Sequence, residues 1–421
     1  MNLQLIVFLL TFLVSPKLAS ELSRDQVLCV TPQTESEVET IRNVTTEFRL
    51  VLWQPDSVQH IAKSKDAHLY VTASDVQQLK QKFTENNITY RVMVENTQPL
   101  IEKQMVNLTA DPRNAVSYYE QYHPLSEIYA WMIQISDRYP ELLQLIPIGS
   151  SYEKRPLYVL KLYGKQRKAK SAVWIDCGIH AREWVSPAFC QWFVGHAVEF
   201  YDRDPLMKSI LDVLDFYVLP VMNVDGYEYT WNVDRMWRKN RAKYDDSNCI
   251  GTDLNRNFDA GWCGPGASKN PCDATYCGPF PESEPEVRAV ARFLRWNKEN
   301  IKGYITIHSY SQMLLFPYSY TTNKAKDHKE LSDMATKAVN AIKNYYYNRY
   351  TAGPGAETIY LAPGGSDDWA YDIGIKYSFT FELRDKGQYG FLLPPNLIKP
   401  TCLETLTAVK VILQHIKQNV E

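Results

Sequence analysis

A histidine and a glutamate three residues apart, His180 and Glu183, follow an apolar run and carry the strongest chemical signal in the sequence. Residues 172–175 predict a buried strand, and Ser186 with Pro187 predicts a helix N-cap followed by proline in the first turn. The pair is therefore expected on a strand-to-helix loop. A histidine and a carboxylate at this spacing predict half of a zinc site, although solvated loops often show the same spacing.

A catalytic zinc site needs a third protein ligand and an open position for water, and His308 is the candidate third ligand. It ends a second apolar run, residues 304–307, which predicts another strand. Glu382 lies in a third such run, residues 377–383. Active sites of α/β sheets gather at strand ends, so these side chains are expected to lie close together.

The elements that position these residues follow from hydrophobic periodicity. The N-terminal part predicts strands at 26–30, 49–53, 68–72 and 90–94 and helices at 36–44 and 74–84. This β-α-β-β-α-β order predicts a four-stranded antiparallel sheet with two helices on one face. From residue 117 onwards, helical patterns alternate with predicted strands at 174–177, 216–221, 304–307 and 377–383, which indicates an α/β unit whose mixed central sheet has helices on both faces.

The composition and the N-terminus indicate a secreted protein. The 421 residues are 45% hydrophobic with a net charge of −2, so a large core is expected and nucleic acid is not an expected partner. The apolar run 5–14, followed by Pro16, Ala19 and Ser20, predicts a signal peptide at 1–20. Later runs are shorter than a transmembrane span, so a membrane is not an expected partner either.

Glycosylation is expected only in the N-terminal part. Asn43, Asn87 and Asn107 each begin an Asn-x-Thr sequon, and none follows residue 109. Eight cysteines in a secreted chain predict disulfides. A rival zinc site made of Cys249, Cys263, Cys272 and Cys277 is disfavoured because these residues form no Cys-x-x-Cys pair.

Four further stretches carry polar residues too specific for a scaffold. They are Trp237-Arg238-Lys239-Asn240, Gly251-Thr252-Asp253-Leu254-Asn255-Arg256-Asn257, Ser366-Asp367-Asp368-Trp369 and Phe379-Thr380-Phe381-Glu382-Leu383-Arg384. Together with His180-Ala181-Arg182-Glu183 and His308-Ser309-Tyr310, they make the chain resemble the zinc metallocarboxypeptidases of the A/B group along its whole length. The resemblance implies a signal peptide at 1–20, a ferredoxin-like α+β activation domain at 21–113 and a catalytic domain with the zinc carboxypeptidase fold at 114–421.

The resemblance also implies the catalytic roles. His180, Glu183 and His308 match the ligands of one Zn²⁺, a ligand set already known for the family. Glu382 matches the general base that takes the proton of the attacking water, and Arg238 matches the group that stabilises the oxyanion. Asp253 is the candidate partner that orients the ring of His180, with a turn-forming aspartate as the alternative.

Recognition of a free C-terminus is implied by a further set of matches. The substrate-binding residues of the family correspond to Arg182, Asn255, Arg256, Ser309, Tyr360 and Asp367. Arg256 suits a carboxylate because a guanidinium can bind it through two hydrogen bonds, and Tyr360 matches a tyrosine that closes over the substrate. Asp367 falls where basic-specific members carry aspartate, which implies C-terminal arginine or lysine as the preferred residue. Asp368 is the alternative pocket residue, and a preference for apolar C-terminal residues is the alternative specificity.

The linker between the two domains implies activation by cleavage. Residues 100–108 predict a connecting helix, and the following Asp111-Pro112-Arg113-Asn114 breaks it. Cleavage between Arg113 and Asn114 by a trypsin-like protease of the thrombin or plasmin type would release the activation domain. The similarity is greatest to plasma procarboxypeptidases of the B type, which implies fibrin with C-terminal lysines as substrate and a role in limiting fibrinolysis. A digestive pancreatic-type enzyme and a catalytically silent secreted binding protein are the alternatives.

Disulfide pairing is implied by the same resemblance. The family's cysteines pair locally, which corresponds here to Cys177–Cys190, Cys249–Cys272 and Cys263–Cys277. Cys29 and Cys402 are then expected to be free and buried. A bond between these two would prevent the activation domain from leaving after cleavage.

Overall fold

The computed structural model describes residues 24–106, 117–165 and 171–420. The predicted signal peptide, the sequon at Asn107 and the predicted cleavage site at Arg113 and Asn114 lie outside these ranges. The described residues form two units, each with its own hydrophobic core, and a third apolar cluster joins them.

The N-terminal unit, residues 24–106, is a four-stranded antiparallel sheet in the order β2-β3-β1-β4. Its elements are β1 (Gln26–Val30), α1 (Glu35–Glu47), β2 (Val51–Gln54), β3 (Ala67–Val71), α2 (Val76–Glu85), β4 (Tyr90–Val94) and α3 (Gln98–Met105). Leu28 and Val30 pack with α1 and α2, whereas Val27 faces the other way. The predicted element order and architecture are confirmed.

The C-terminal unit is built on an eight-stranded mixed sheet in the order β11-β10-β12-β9-β7-β8-β6-β5. Its strands are β5 (Leu143–Ser150), β6 (Pro156–Leu162), β7 (Ser171–Cys177), β8 (Leu214–Leu219), β9 (Ile301–His308), β10 (Met313–Phe316), β11 (Thr351–Pro354) and β12 (Tyr377–Glu382). The central strands β8, β7, β9 and β12 run parallel to one another. Their near-continuous apolar sequences are typical of parallel strands that are buried on both faces.

Helices cover both faces of this sheet, as expected. They are α4 (Leu125–Arg138), α5 (Val185–Glu199), α6 (Pro205–Leu211), α7 (Val224–Asn232), α8 (Pro285–Asn297), α9 (His328–Tyr346), α10 (Gly355–Thr358), α11 (Ser366–Asp372) and α12 (Ile398–Gln418). Two neighbouring residues of β8 show the arrangement: Phe216 packs on Phe193 of α5, and Tyr217 packs on Phe293 of α8. Successive strand residues point to opposite faces, so α5 and α8 lie on opposite sides. Within the described ranges, no helix is both long and apolar enough to cross a membrane.

The open face of the small sheet docks on the C-terminal unit. Trp53 of β2 packs edge-on against Tyr310 and Phe391 in the joining cluster. The side chain of Gln104 on α3 is buried and donates hydrogen bonds to the main-chain oxygens of Phe391 and Leu393. The N-terminal unit is therefore held by apolar packing and by hydrogen bonds at one end of the large sheet.

The structure contains three disulfides, Cys177–Cys190, Cys249–Cys272 and Cys263–Cys277. These are the pairs that the family resemblance implies. The first ties the end of β7 to α5, beside the His180 loop, and the other two cross-link the long connection between α7 and α8. Cys29 and Cys402 are free and buried.

Candidate active site

Three neighbouring strands place the predicted catalytic residues at one edge of the large sheet. His308 is the last residue of β9, Glu382 is the last residue of β12, and the two are direct partners in the parallel register. Cys177 ends β7 beside Ile307 of β9, and the loop that follows it carries His180 and Glu183. The carboxyl ends of parallel strands thus converge, as expected for a site on this kind of sheet.

The loop that carries His180 and Glu183 is fixed by a serine inside the following helix. The sequence predicted Ser186 as the N-cap, but this is wrong: α5 begins at Val185 with Trp184 as its N-cap residue. The Ser186 hydroxyl instead donates a hydrogen bond to the main-chain oxygen of Ile307 and accepts one from the Gly178 amide. The hydroxyl has its partners in tertiary structure, so it is not available to cap the helix.

The three predicted zinc ligands converge on one point. The ligand atoms of His180, Glu183 and His308 lie within 4.8 Å of one another, and all three side chains are buried. The two Nδ1 atoms are 3.2 Å apart, and Glu183 Oε1 and Oε2 lie 2.7 and 3.2 Å from those of His180 and His308. The Ser309 amide donates to Glu183 Oε2 and orients the carboxylate. Ring nitrogens that face each other beside a carboxylate suit a bound cation, so the donor set fits zinc.

A buried aspartate connects the metal-ligand set to a guanidinium. Asp253 Oδ1 lies 3.2 Å from Nε2 of His180, the nitrogen on the far side of the ring from Glu183. Its Oδ2 accepts hydrogen bonds from Nε and Nη2 of Arg238, at 3.0 and 2.9 Å. Although burial opposes ionisation, Arg238 and His180 hold the pKa of Asp253 well below its usual range. Asp253 therefore stands as a carboxylate that orients both side chains.

Glu382 is a half-buried residue at the end of β12, and its carboxyl group lines the same cavity as the metal-ligand set. Burial raises its pKa to about 8, and the nearby Glu183 carboxylate adds to this rise against the opposing effect of His308. Its Oε2 atom has no hydrogen-bond partner in the structure. A carboxyl group with a high proton affinity and a free oxygen is suited to accept and return a proton.

Arg256 and Asn255 lie in the same cavity, held by a short 3₁₀ turn, Leu254–Arg256. Gly364 has φ of 77°, and a Cβ atom there would lie 2.2 Å from the Arg256 main-chain oxygen, so only glycine fits. The Asn255 side-chain oxygen accepts a hydrogen bond from the Ser366 amide. The loop that contains Gly364 and Ser366 is thereby packed against the turn that positions Arg256.

A carboxylate of the N-terminal unit is bound to this arginine. The Asp56 carboxylate forms a hydrogen-bonded ion pair with Arg256 Nη2 and lies 3.7 Å from Nη2 of Arg238. Burial opposes the ionisation of Asp56, but Arg256 and the hydrogen bond with His60 outweigh it and lower the pKa to about 2. Asp56 is thus ionised and stands where a carboxylate ligand of Arg256 would bind. Sequence reasoning missed it because nothing near residue 56 indicates a contact with residue 256.

Two other predicted substrate-binding residues also contact the N-terminal unit. The Tyr360 ring stacks on His60, with ring centroids 4.4 Å apart. Arg182 donates a hydrogen bond to the Leu52 main-chain oxygen and lies over the Phe391 ring, and it is 2% exposed. Their roles towards substrate therefore stay predictions, and in this structure both side chains support docking of the N-terminal unit.

The structure distinguishes the two adjacent aspartates at the start of α11. Asp367 lines the cavity, and its Oδ2 accepts a hydrogen bond from the Thr380 hydroxyl. Asp368 turns the other way, and its Oδ2 accepts hydrogen bonds from the amides of Ser319 and Tyr320. Sequence reasoning missed Thr380, although it lies two residues before Glu382 in β12 and so shares its face.

The sequons at Asn43 and Asn87 both lie on exposed positions of the N-terminal unit. Asn43 is on α1, and Asn87 lies in the turn between α2 and β4 with φ of 55°. Glycosylation at both stays a prediction that exposure allows.

Comparison with known proteins places this fold and site in a family. A zinc carboxypeptidase family model matches residues 128–408, and a carboxypeptidase activation peptide model matches residues 28–104. The chain therefore belongs to the zinc carboxypeptidase family, and the family expected from the sequence motifs is confirmed.

Individual relatives cover nearly the whole chain. Carboxypeptidase B2 from Bos taurus is 55% identical over 416 residues, which is 98% of each chain. Carboxypeptidase B2 from Homo sapiens is 56% identical over 397 residues, covering 94% of each. The crystal structure of thrombin activatable fibrinolysis inhibitor superposes with a TM-score of 0.92 at 56% identity, covering 94% of this chain and 100% of that one.

Proposed function

We propose that this chain is the secreted zymogen of a zinc carboxypeptidase that removes C-terminal arginine or lysine from peptides and proteins. The observation that carries the proposal is a single cavity lined by the metal-ligand set, a proton acceptor, a carboxylate-binding arginine and an acidic residue. These are His180, Glu183, His308, Glu382, Arg256 and Asp367. An enzyme that cuts one residue from a C-terminus needs all four kinds of group in one place.

The metal site would be held by His180, Glu183 and His308. Zinc bound there would activate a water in its open position and polarise the carbonyl of the bond to be cut. Asp253 would keep the His180 ring oriented, since its carboxylate lies against the ring nitrogen on the side opposite Glu183.

Glu382 would accept the proton of the attacking water and pass it to the nitrogen of the leaving residue. Its raised pKa suits both halves of this transfer, because a group with a proton affinity near neutrality gains and loses a proton readily. Arg238 would stabilise the negative charge that develops on the carbonyl oxygen, a role in which one donor typically contributes ~3 kcal/mol. Asp253 holds that guanidinium in place through two hydrogen bonds.

Substrate selection would depend on two charges of opposite sign. Arg256 would bind the terminal carboxylate, helped by Asn255 and Ser309 of the same cavity, and Tyr360 would close over it. Asp367 would bind the cationic side chain of the terminal residue. Asp367 is 3% exposed, and an apolar residue bound beside it would leave that buried carboxylate unpaired. The pocket should therefore favour arginine and lysine over phenylalanine.

Latency would come from the activation unit itself. Asp56 occupies Arg256, Arg182 is engaged by the Leu52 main chain, and His60 stacks on Tyr360. Three groups that a substrate would use are thereby engaged in the intact chain. Cleavage after Arg113, between an activation domain at 21–113 and a catalytic domain at 114–421, would release them. The protease would be trypsin-like, of the thrombin or plasmin type.

The proposed setting is plasma, after removal of a signal peptide at 1–20. The similarity to carboxypeptidase B2 and to the thrombin activatable fibrinolysis inhibitor structure supports removal of C-terminal lysines from fibrin, and hence slower fibrinolysis.

The test is hydrolysis of hippuryl-arginine and hippuryl-phenylalanine by the purified chain, before and after limited cleavage at Arg113, with a chelator control. The expected result is chelator-sensitive release of arginine only after cleavage. Release of phenylalanine in preference would refute the assignment of the pocket. A cleaved, zinc-containing chain that released neither residue would instead favour the silent binding protein.

A further inference from the structure

A second group of metal-ligand side chains lies in the N-terminal unit and does not line the catalytic cavity. The ligand atoms of Cys29, Asp66 and His68 lie within 4.8 Å of one another. Cys29 on β1 and His68 on β3 are direct partners in the antiparallel register, so their side chains project from the same face of the small sheet. Asp66 precedes His68 by two residues and shares that face, which is the face docked on the C-terminal unit.

His68 is placed as a metal ligand would be. The side chain is 2% exposed, and its Nδ1 atom makes a 2.7 Å hydrogen bond with the Tyr310 hydroxyl across the domain interface. Its Nε2 atom is buried and has no hydrogen-bond partner. Buried polar atoms without a partner are rare and unfavourable, so an unpaired Nε2 on a ring that lies close to a thiol and a carboxylate points to a missing ligand. Metal-binding histidines commonly use their second nitrogen in a hydrogen bond such as the one with Tyr310.

The other two side chains complete the donor set. Cys29 is 2% exposed and outside every disulfide. Asp66 Oδ1 accepts a hydrogen bond from the Thr31 hydroxyl at 2.6 Å, and Asp66 Oδ2 lies 3.7 Å from Nη2 of the exposed Arg91. A bound metal would displace the proton of the Cys29 thiol, since the thiolate is the form that binds metals.

We propose that Cys29 Sγ, His68 Nε2 and an oxygen of Asp66 bind a second zinc ion, with water in the fourth position. Zinc is the divalent cation that accepts thiolate, imidazole and carboxylate together in a tetrahedral site. Tetrahedral zinc spaces such ligand atoms about 3.3–3.8 Å apart, so small side-chain rotations close the present arrangement. The thiolate excludes magnesium and calcium, which prefer oxygen ligands.

This site lies at the junction of the two units. A metal on Nε2 fixes the His68 ring and so holds Nδ1 against Tyr310, two residues after the catalytic-site residue His308. Gly387 of the C-terminal unit also packs on this ring, since a Cβ there would lie 2.7 Å from His68 Cε1. The intact chain then carries two zinc ions, and the second stays with the activation domain when that domain is removed.

Cobalt titration of the full-length, uncleaved chain tests the proposal. Metal is removed by dialysis against a chelator, and Co²⁺ is then added while the near-ultraviolet thiolate-to-cobalt charge-transfer band is recorded. The catalytic ligand set contains no sulfur, so the band reports the second site alone, and it should saturate by the time two equivalents of Co²⁺ have filled both sites. Cys29→Ser should abolish the band and lower the zinc content from two ions per chain to one. Cys402→Ser is the matched control, since Cys402 is also free and buried. This variant should keep the charge-transfer band and both zinc ions.

The outcomes separate this proposal from the catalytic one. A folded wild-type chain that binds one metal ion and shows no thiolate band overturns the second site and leaves the catalytic zinc intact. A band that persists in Cys29→Ser, or disappears in Cys402→Ser, overturns the assignment. If Cys29→Ser fails to fold, the exposed Asp66→Asn serves instead, with the dissociation constant for Co²⁺ expected to rise about tenfold or more. An unchanged constant contradicts the site.

Discussion

The Asp367→Asn substitution tests the proposed specificity with the smallest change in shape. Asp367 is buried, and its one hydrogen bond to a neighbouring side chain comes from the Thr380 hydroxyl, which an asparagine oxygen can also accept. The substitution therefore removes the negative charge while the pocket keeps its form. The activated enzyme should lose its preference for C-terminal arginine, since the guanidinium of the substrate would be buried without a partner.

The size of the loss follows from burial. Breaking a buried ion pair by removing one partner typically costs about 3–5 kcal/mol. At about 1.4 kcal/mol for each factor of ten, kcat/KM for hippuryl-arginine should fall roughly 10²- to 4 × 10³-fold. The value for hippuryl-phenylalanine should stay level or rise, because the unpaired carboxylate that opposes apolar residues is gone.

The assay compares kcat/KM for the two substrates in the wild type, in Asp367→Asn and in two further variants. Asp372→Asn lies on the same helix and is exposed, with hydrogen bonds from the Tyr318 and Tyr320 hydroxyls, so it should leave the ratio unchanged. Asp368→Asn tests the alternative pocket residue. If Asp367→Asn keeps the arginine preference and Asp368→Asn loses it, the assignment of the pocket is refuted.

Three further predictions concern latency, proton transfer and pH. In the uncleaved chain, Asp56→Ala removes the ion pair with Arg256, so hydrolysis of hippuryl-arginine should rise above the zymogen background. The control variant Glu39→Ala changes an exposed residue and should not raise hydrolysis. An equal rise in both variants would contradict the proposed role of Asp56 in latency. In the activated enzyme, Glu382→Gln should lower kcat about 10²- to 10⁴-fold, because the proton acceptor is lost. The zinc content should not change, because the three metal ligands remain. An unchanged kcat would exclude Glu382 as the general base. Burial raises the pKa of Glu286 to about 7, with Glu284 and Asp225 adding to the rise. The folded state therefore holds this proton more tightly than the unfolded chain, and the resulting stability is complete below pH ~4.5 and lost as pH rises through about 7. Glu286→Gln should stabilise the protein more at pH 8 than at pH 5, by up to about 3 kcal/mol in the free energy of unfolding, measured by thermal unfolding at both pH values. An equal change in stability at both pH values would contradict the predicted pH dependence.

The local patterns determined much of the fold. The pattern of apolar residues located the four strands of the small sheet to within a few residues, because each strand packs one face on the core of the N-terminal unit. The second strand was predicted from Arg49, but it begins at Val51, since Arg49 adopts a left-handed turn conformation with φ of 50°. Long apolar runs likewise located the central parallel strands, which are buried on both faces.

The sequence by itself determined which side chains are available for chemistry and at which strand ends they lie. His180, Glu183, His308 and Glu382 were identifiable because parallel strands bring their carboxyl ends to one edge. The tertiary structure alone decided which of Asp367 and Asp368 enters the cavity, because that depends on how α11 packs beside Ser319.

The contacts between the two units could not be predicted from the sequence either. Asp56 accepts a hydrogen bond from Arg256, 200 residues away in the sequence, and His68 is hydrogen-bonded to Tyr310, 242 residues away. No local spacing encodes such pairs. They form because the open face of the small sheet, fixed by its own register and core, docks on the catalytic edge of a second sheet with a separate core. Burial then removes water from charges that would otherwise interact weakly, and this strengthens the Asp56–Arg256 pair on which the proposed latency depends.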